Sequence, residues 1–326
     1  MISQEAKSKN LFPCFVGLLL RHGWQLSWEK VTMVDMDQPR DTALHSSLAD
    51  MIATITKTFV IAHDQDSDEH LAQALVFNAG RLAWRMREQG VSTDFKTSLS
   101  DVVTDADRAA EQFVTGVISA LRPEDGILGE EGTHKAGTSG RTWVIDPVDG
   151  TYNFISGSDY WCSALALVEG DPAHPDKVCF GAVHRPAMGY TWFGGKDIPT
   201  TRDGKALPSL ENKSTELISM ATYLNPPFIA EPALLNAWLS LAQGFLSWRM
   251  IGAGSVDLGG VADGTLGAYV QHTVQDWDWL PGRALVEGVG GTCIKVEAAG
   301  VTWCIAANPQ AADEIATILR ALPPAN

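Results

Sequence analysis

The chain has 326 residues, of which 45% are hydrophobic and 19% are charged, and its formal net charge is −15 at pH 7. The length allows one large domain or two lobes with a core each, and the composition is ordinary for a soluble globular protein. The acidic balance excludes a basic nucleic-acid-binding surface, but not a small anionic substrate, because bound divalent metal ions can invert the local charge.

The cysteines are scattered, odd in number and never spaced as C-x-x-C. This pattern predicts free, mostly buried thiols in a reducing compartment, and therefore a cytoplasmic location. No apolar run approaches the length that spans a bilayer, so we expect no membrane association. The five cysteines are Cys14, Cys162, Cys179, Cys293 and Cys304.

The first forty residues lack a periodic pattern. Lys7 and Lys9 precede an apolar run from Leu11 to Leu20, as in a signal peptide, but Pro13 interrupts the run and no small-residue cleavage site follows. We therefore predict a poorly structured extension over residues 1–40, or a true start at a later methionine. The candidate starts are Met33, Met36 and Met51.

Two helices come next. Apolar residues recur at helical spacing over residues 41–62, and a second helix is predicted from Ser67 to Gln89. Asp68 and Glu69 suit its first turn, and Gly90 suits its end. The apolar stripes of both helices are predicted to be core.

A short strand at Val102-Val103 leads into a helix that opens over residues 104–107. Asp105 or Asp107 is predicted as its N-cap. Further on, Glu130 and Glu131 stand between glycines. Such a pair on a solvated turn would carry no meaning alone, and it gains weight only from the acidic turn that follows closely.

That turn begins where an apolar strand, Trp143–Ile145, ends. Asp146 and Asp149 lie three residues apart and can face one hard cation, which takes oxygen ligands. Gly150 permits a tight turn, and Thr151 stands at a plausible helix start, where free N–H groups attract phosphate. The alternative is an Asp-Pro and Asp-Gly double turn that only joins two elements.

The pattern after Phe154 is rich in strands as far as residue 210, and then strands and helices alternate. The alternation includes a strand at 216–221 and a helix at 279–288, preceded by a last acidic cluster at Asp276 and Asp278 that could also be an N-cap. We therefore predict an N-terminal metal-binding α+β lobe over 41–212 and a C-terminal α/β lobe over 213–326. Four acidic patches could converge on one pocket that holds two or three cations.

These motifs resemble the inositol monophosphatase family, which belongs to the fructose-bisphosphatase/inositol monophosphatase superfamily of magnesium-dependent, lithium-sensitive phosphatases. The resemblance covers about Asp68 to Leu322. It implies an α/β fold, an α-β-α-β-α sandwich, and a homodimer. The motifs that carry it are Gly129-Glu130-Glu131, the run from Trp143 to Phe154, Trp277-Asp278 and Gly290-Gly291.

Residue by residue, the resemblance implies two or three magnesium ions. The first would be held by Glu130, Asp146 and the Val148 carbonyl, and the second by Asp146, Asp149 and Asp278. A third would be held more loosely, through Glu130 and water. Asp107 would lie behind the second metal, and Lys96 near the metal edge. The implied catalytic residues are Glu130, Thr151 and Asp149, with Thr151 and Glu130 orienting the attacking water. The implied contacts to phosphate and substrate are Gly150, Thr151, Gly254, Ser255 and Gln271.

One position departs from the family pattern. Seven residues before the last aspartate ligand the family usually carries a glutamate that grips the ring hydroxyls of inositol, whereas this chain has Gln271. Glutamine still forms hydrogen bonds but carries no charge. The departure affects the choice of substrate and leaves the phosphatase chemistry intact.

The sequence therefore predicts a magnesium-dependent phosphomonoesterase that acts on a small phosphorylated substrate, with inositol monophosphate first. Histidinol phosphate and a nucleotide 3′-phosphate are the alternatives within the superfamily. A third possibility is a metal- and phosphate-binding protein without catalysis.

Overall fold

The computed structural model describes residues 40–90, 93–95 and 102–323. The predicted extension over residues 1–39, the possible starts at Met33 and Met36, and Lys96 lie outside the described residues. Within the described ranges no helix is long and apolar enough to span a bilayer.

The helices are α1 (Arg40–Ala62), α2 (Asp68–Gln89), α3 (Asp105–Leu121), α4 (Thr151–Ile155), α5 (Pro226–Ile229), α6 (Pro232–Ala242), α7 (Gly254–Ala262), α8 (Asp276–Gly288), α9 (Pro309–Arg320) and a 3-10 turn at Thr215–Leu217.

In the part of the chain that the structure describes, the strands fall into three sheets. A small antiparallel pair consists of β1 (Thr93–Phe95) and β2 (Val102–Thr104). The next eight strands are β3 (Gly126–Gly129), β4 (His134–Lys135), β5 (Arg141–Asp149), β6 (Cys162–Asp171), β7 (His174–Arg185), β8 (Tyr190–Gly195), β9 (Ile198–Arg202) and β10 (Lys205–Ala206). The last five are β11 (Ser219–Ala221), β12 (Ser247–Arg249), β13 (Ala268–His272), β14 (Thr292–Ala298) and β15 (Val301–Ala307).

The larger sheet has the order β10-β9-β8-β7-β6-β5-β3-β4. Its strands pair antiparallel except for β3 and β5, which run parallel. The second sheet has the order β12-β11-β13-β15-β14, and its first three strands are parallel to one another. The parallel strands of each sheet end beside the acidic motifs, where ligands bind in open α/β sheets.

Three hydrophobic clusters define the layers. Side chains of α1, α2 and α3 pack on one face of the larger sheet, as Phe59, Leu75 and Phe113 show. Helices α7 and α8 lie between the two sheets, with Leu258 and Leu285 in the shared core. Helices α6 and α9 cover the outer face of the second sheet. The predicted α/β class and the layered α-β-α-β-α arrangement are confirmed.

Some element boundaries differ from the predictions. The strand expected at 216–221 begins as the 3-10 turn and becomes a strand only at Ser219. The helix expected from residue 279 begins at Asp276, because Gln275 serves as its N-cap residue. The N-cap of α3 is Thr104, with neither Asp105 nor Asp107 in that position. The domain boundary at 212 stays a prediction, and it falls between the two large sheets.

Candidate active site

The central acidic turn is an irregular end of β5. The pairing of β5 with β6 shifts between Asp146 and Asp149, so the strand bulges and both carboxylates come to one side. The Val148 N–H donates to Asp146 Oδ1 at 3.0 Å, which fixes the orientation of this carboxylate. Gly150 then turns the chain at φ 92°, where any side chain would press on Ala253 Cβ at 3.0 Å. Only glycine fits both constraints.

Asp278 joins these two aspartates from the second sheet's side of the site. It lies in the first turn of α8, and an oxygen atom of each of Asp146, Asp149 and Asp278 lies within 4.8 Å of the others. The sequence predicted this convergence from motifs more than a hundred residues apart.

Burial and mutual repulsion disfavour the charges of these carboxylates. The pKa of Asp146 is raised well above its ordinary value by burial and then by the charges of Glu130, Asp149 and Asp278. Burial and the charges of Asp149 and Glu130 raise the pKa of Asp278 in the same way. Among the described residues, no lysine, arginine or histidine lines the pocket to compensate. This all-oxygen donor set, in which Asp146 and Asp149 are buried and Asp278 is half-buried, fits a hard divalent cation such as Mg²⁺.

Asp149 is held from behind by the start of α7. The N–H groups of Gly254 and Ser255 donate to its two carboxylate oxygens at 3.1 and 2.5 Å. Burial raises its pKa, and these two N–H groups lower it. Gly254 lines the pocket, whereas Ser255 is buried and does not face it. Ser255 therefore positions Asp149, unlike the substrate contact that the resemblance implies.

Glu130 reaches the same pocket from the neighbouring parallel strand. Gly129 of β3 pairs with Ile145 of β5, and the Glu130 N–H donates to the Ile145 carbonyl at 3.2 Å. This places Glu130 one residue past the strand end, beside Asp146, and both line the pocket. The glutamate between glycines thus lines the same pocket as Asp146 and Asp149, and its role as a metal ligand stays a prediction.

The sequence did not single out Glu111, which holds the Glu130 turn in place. Its carboxylate is buried, and it accepts the N–H groups of Glu131 at 2.8 Å and Thr133 at 3.1 Å. A Cβ on Gly129 would meet this carboxylate at 2.5 Å, so the glycine leaves room for it. The available signal was the spacing of Asp107 and Glu111, four residues apart and hence on one face of α3.

Asp107 occupies the third position of α3 and forms a capping box with Thr104. Its other oxygen accepts the Thr151 hydroxyl at 3.1 Å, and the Val148 carbonyl lies 3.1 Å from the same hydroxyl. Burial raises the pKa of Asp107 to about 6, against the hydrogen bonds from Thr104. The structure thus places Asp107 behind Thr151 and outside the three-carboxylate cluster, and it places the Val148 carbonyl next to Thr151.

Asp257 is a further buried acid, one turn into α7. It accepts the Tyr160 hydroxyl at 2.6 Å. Burial raises its pKa to about 7, the Tyr160 hydrogen bond acts in the opposite direction, and the charge of Asp149 adds to the rise. It is buried and does not line the pocket.

This shift predicts a pH effect on the metal-free protein. Because the folded-state pKa of about 7 exceeds the ordinary 3.8, the stability from Asp257 is complete below about pH 4 and is lost as the pH rises through 7. In EDTA, the wild type should therefore lose stability relative to Asp257→Asn as the pH rises from 4 to 8. The difference in the free energy of unfolding between the two proteins should change by up to about 4 kcal/mol. Urea unfolding at both pH values measures this, with the exposed Asp171→Asn as control. Parallel pH profiles of wild type and variant would contradict the prediction.

The fold and site define a layered α/β protein with an acidic site suited to hard cations. The family model of the inositol monophosphatase family matches residues 64–323, and the chain belongs to this family. It is accordingly a phosphoric monoester hydrolase by family, and this family generally uses Mg²⁺.

The names of similar proteins are consistent with this family. The chain is 30% identical over 281 residues to a histidinol-phosphatase of Mycobacterium tuberculosis, which covers 80% of this chain and 100% of that protein. It is 32% identical to an inositol-1-monophosphatase of Mycobacterium leprae, over 69% of this chain and 80% of the relative. Among solved structures, it is similar to a Thermotoga maritima IMPase with a TM-score of 0.65 and 25% identity, over 76% of this chain and 95% of that one.

Proposed function

We propose that this protein is a Mg²⁺-dependent phosphomonoesterase that hydrolyses a small phosphate monoester by direct attack of water. The observation that carries the proposal is the approach of Asp146, Asp149 and Asp278 oxygens to within 4.8 Å of one another at the end of β5. Two-metal phosphatase sites need carboxylates in such an arrangement. A purely metal-binding protein would not require Thr151 beside them.

The residues of the pocket would bind the metal ions and the phosphate group of the substrate. Asp146 would contact both metal positions, with Glu130 on one side and Asp149 and Asp278 on the other. Magnesium supplies charge neutralisation for the phosphate and makes a water molecule more acidic. The Gly150 and Thr151 N–H groups would hold phosphate oxygens, and phosphoryl transfer requires mainly such positioning and charge stabilisation.

Thr151, with Glu130, would orient the attacking water. Its hydroxyl donates a hydrogen bond to Asp107 Oδ1 at 3.1 Å, so the hydroxyl oxygen would be free to accept a hydrogen bond from the water. The Asp107 capping box holds this acceptor in place. Asp107 and Thr151 together would therefore orient the attacking water from the fixed start of α3.

Thr151→Ala should consequently lower kcat by about 100-fold while changing KM much less, because a group that acts on the water is removed. Thr151→Ser keeps the hydroxyl and serves as the matched control, with activity within a few-fold of the wild type. Steady-state kinetics at saturating Mg²⁺ measures both. A rise in KM alone would make Thr151 a binding residue instead.

Two substrates are candidates for this reaction. Inositol monophosphate is the substrate that the family favours, and histidinol phosphate is favoured by the neutral Gln271 in the pocket and by the relatives of that name. A nucleotide 3′-phosphate is a third option within the superfamily. Side-by-side kcat/KM values with Mg²⁺ titration and lithium inhibition test the proposal, and an absence of Mg²⁺-dependent phosphate release from every one of them would refute it.

Assembly and location complete the proposal. A homodimer follows from the family resemblance, and a cytoplasmic location follows from the unpaired cysteines, four of which are free thiols in the described part of the chain. Sedimentation of the purified protein tests the first, and fractionation of the source cells tests the second.

A further inference from the structure

Three parallel strands of the second sheet end at one level beside the carboxylates. In the register of the sheet, Ala221 of β11 lies opposite Arg249 of β12 and Tyr269 of β13. The Thr222 N–H still donates to the Arg249 carbonyl at 3.0 Å, so this register continues past the end of β11. The residues two places further along the three chains are Tyr223, Ile251 and Gln271. All three line the pocket.

Tyr223 forms a flat wall of the pocket. Its ring lies against the backbone of Gly252, where an added Cβ would stand 3.5 Å from a ring carbon. The Asn153 side-chain amide donates to the carbonyls of Ile251 at 2.8 Å and Gly252 at 3.2 Å. Because Asn153 belongs to α4, this wall is fixed relative to the turn that begins at Gly150.

The outer part of the pocket differs in chemistry from its inner part. Tyr223 is 38% exposed and Ile251 is 36% exposed, so both still offer apolar surface to an incoming group. Gln271 is the neutral polar neighbour on the third strand. Among the described residues that line the pocket, the charged side chains are the inner carboxylates, which would face the metal ions and the phosphate.

A polyhydroxylated ring suits this outer part poorly. Several hydroxyls would be buried against an isoleucine side chain and a tyrosine ring, and each one left without a partner costs about 1–3 kcal/mol. A flat ring gains contact from both surfaces, and aromatic pairs add stabilisation beyond the area that they bury. An acidic site also favours a neutral or cationic ring over an anionic one.

We propose that the pocket selects phosphate monoesters whose alcohol carries a flat aromatic or heteroaromatic ring, packed on Tyr223 and Ile251 with Gln271 at its polar edge. This inference rests on the proposed phosphatase reaction and narrows its substrate class. The reaction itself depends on the inner carboxylates, and the ring preference depends on the three strand ends.

The test compares kcat/KM for three substrates: 2-phenylethyl phosphate, inositol 1-phosphate and the ring-free glycerol 2-phosphate. The wild type should prefer 2-phenylethyl phosphate. Tyr223→Ala should lower kcat/KM for 2-phenylethyl phosphate about fivefold more than for glycerol 2-phosphate, as loss of one aromatic contact predicts. Tyr223→Phe should keep the wild-type preference, because it retains the ring. Leu246→Ala, at a side chain that is 70% exposed and outside the pocket lining, is the control without effect.

A preference of the wild type for inositol 1-phosphate would overturn the inference. So would a Tyr223→Phe variant that behaves like Tyr223→Ala, since the hydroxyl and not the ring would then be the important group. Turnover of all three substrates without a ring preference would overturn this inference alone and leave the phosphatase reaction standing. No Mg²⁺-dependent turnover of any substrate would overturn both.

Discussion

Asp146→Asn is expected to abolish Mg²⁺-dependent turnover and at the same time to raise the melting temperature of the metal-free protein. The first effect follows from the proposal that this carboxylate would contact both metal ions, since it lines one pocket with Glu130 and Asp278. Loss of a metal-bridging ligand removes several kcal/mol of charge stabilisation, so kcat should fall by about 1,000-fold or more.

The rise in melting temperature follows from the electrostatics of the carboxylate cluster in the metal-free protein. Burial and the charges of Glu130, Asp149 and Asp278 all disfavour the ionised form of Asp146. A neutral asparagine of the same size removes this repulsion, and it can still accept the Val148 N–H that now binds Asp146 at 3.0 Å. Without metal the variant should therefore unfold at a higher temperature than the wild type at neutral pH.

Thermal melts with and without Mg²⁺, together with a kcat measurement, separate the two effects. The wild type should be stabilised by Mg²⁺ and the variant much less, by the linkage between ligand binding and unfolding. Asp276→Asn is the matched control: it is a neighbouring acid of the same helix turn, but its carboxylate faces Lys295 at 3.4 Å. A near-normal kcat for Asp146→Asn would refute the bridging role.

The part of the site that the sequence predicted is the part that lies within short motifs. Asp146, Asp149 and Gly150 stand within five residues of one another, and their chemistry is local: two carboxylates, a required positive φ and a strand end. Asp278 belongs to an acidic cluster visible before a predicted helix, and the family resemblance implied its role as a ligand. For these positions the structure adds the distances between the carboxylates and the extent of their burial.

The part that the sequence could not predict depends on register and on contacts between distant segments. Tyr223 and Ile251 are unremarkable residues until the pairing of β11 with β12 places them at one level. The resemblance places Ser255 among the substrate contacts, whereas its side chain is fully buried and its backbone N–H donates to Asp149. Thr104 took the N-cap position expected for an aspartate, because its hydroxyl and Asp107 satisfy each other's N–H groups.

Glu111 is the clearest case of a functional contribution that only packing reveals. Its two carboxylate oxygens each accept one N–H of the turn that carries Glu130. Glutamine at this position has one accepting oxygen, and its amide group would face the second N–H, donor against donor. One of the two turn contacts must then be lost, at a cost of about 1–3 kcal/mol for the unsatisfied buried group. The turn shifts as a result, and Glu130 shifts with it.

We therefore expect Glu111→Gln to weaken Mg²⁺ binding, so that the Mg²⁺ concentration for half-maximal activity rises by about 10- to 100-fold. This is the range found when groups that orient metal ligands are changed. The Mg²⁺ concentration for half-maximal activity measures this, and the Mg²⁺-induced rise in melting temperature gives a second readout that does not depend on turnover. A loss of general stability alone would lower the melting temperature without moving either quantity.

Asp125→Asn provides the comparison that separates these outcomes. Asp125 is likewise a buried carboxylate, and it binds the side chains of Ser139, Arg141 and Trp143 at the opposite end of β3 from Glu130, outside the pocket lining. Its substitution should destabilise the protein and leave the half-saturating Mg²⁺ concentration unchanged. If Glu111→Gln and Asp125→Asn lowered the melting temperature alike and neither altered Mg²⁺ dependence, Glu111 would be a packing residue only. A change in Mg²⁺ dependence in Glu111→Gln alone would instead show that Glu111 supports the metal site without contacting the metal. Glu111 would do so by accepting the N–H groups of the turn that positions Glu130.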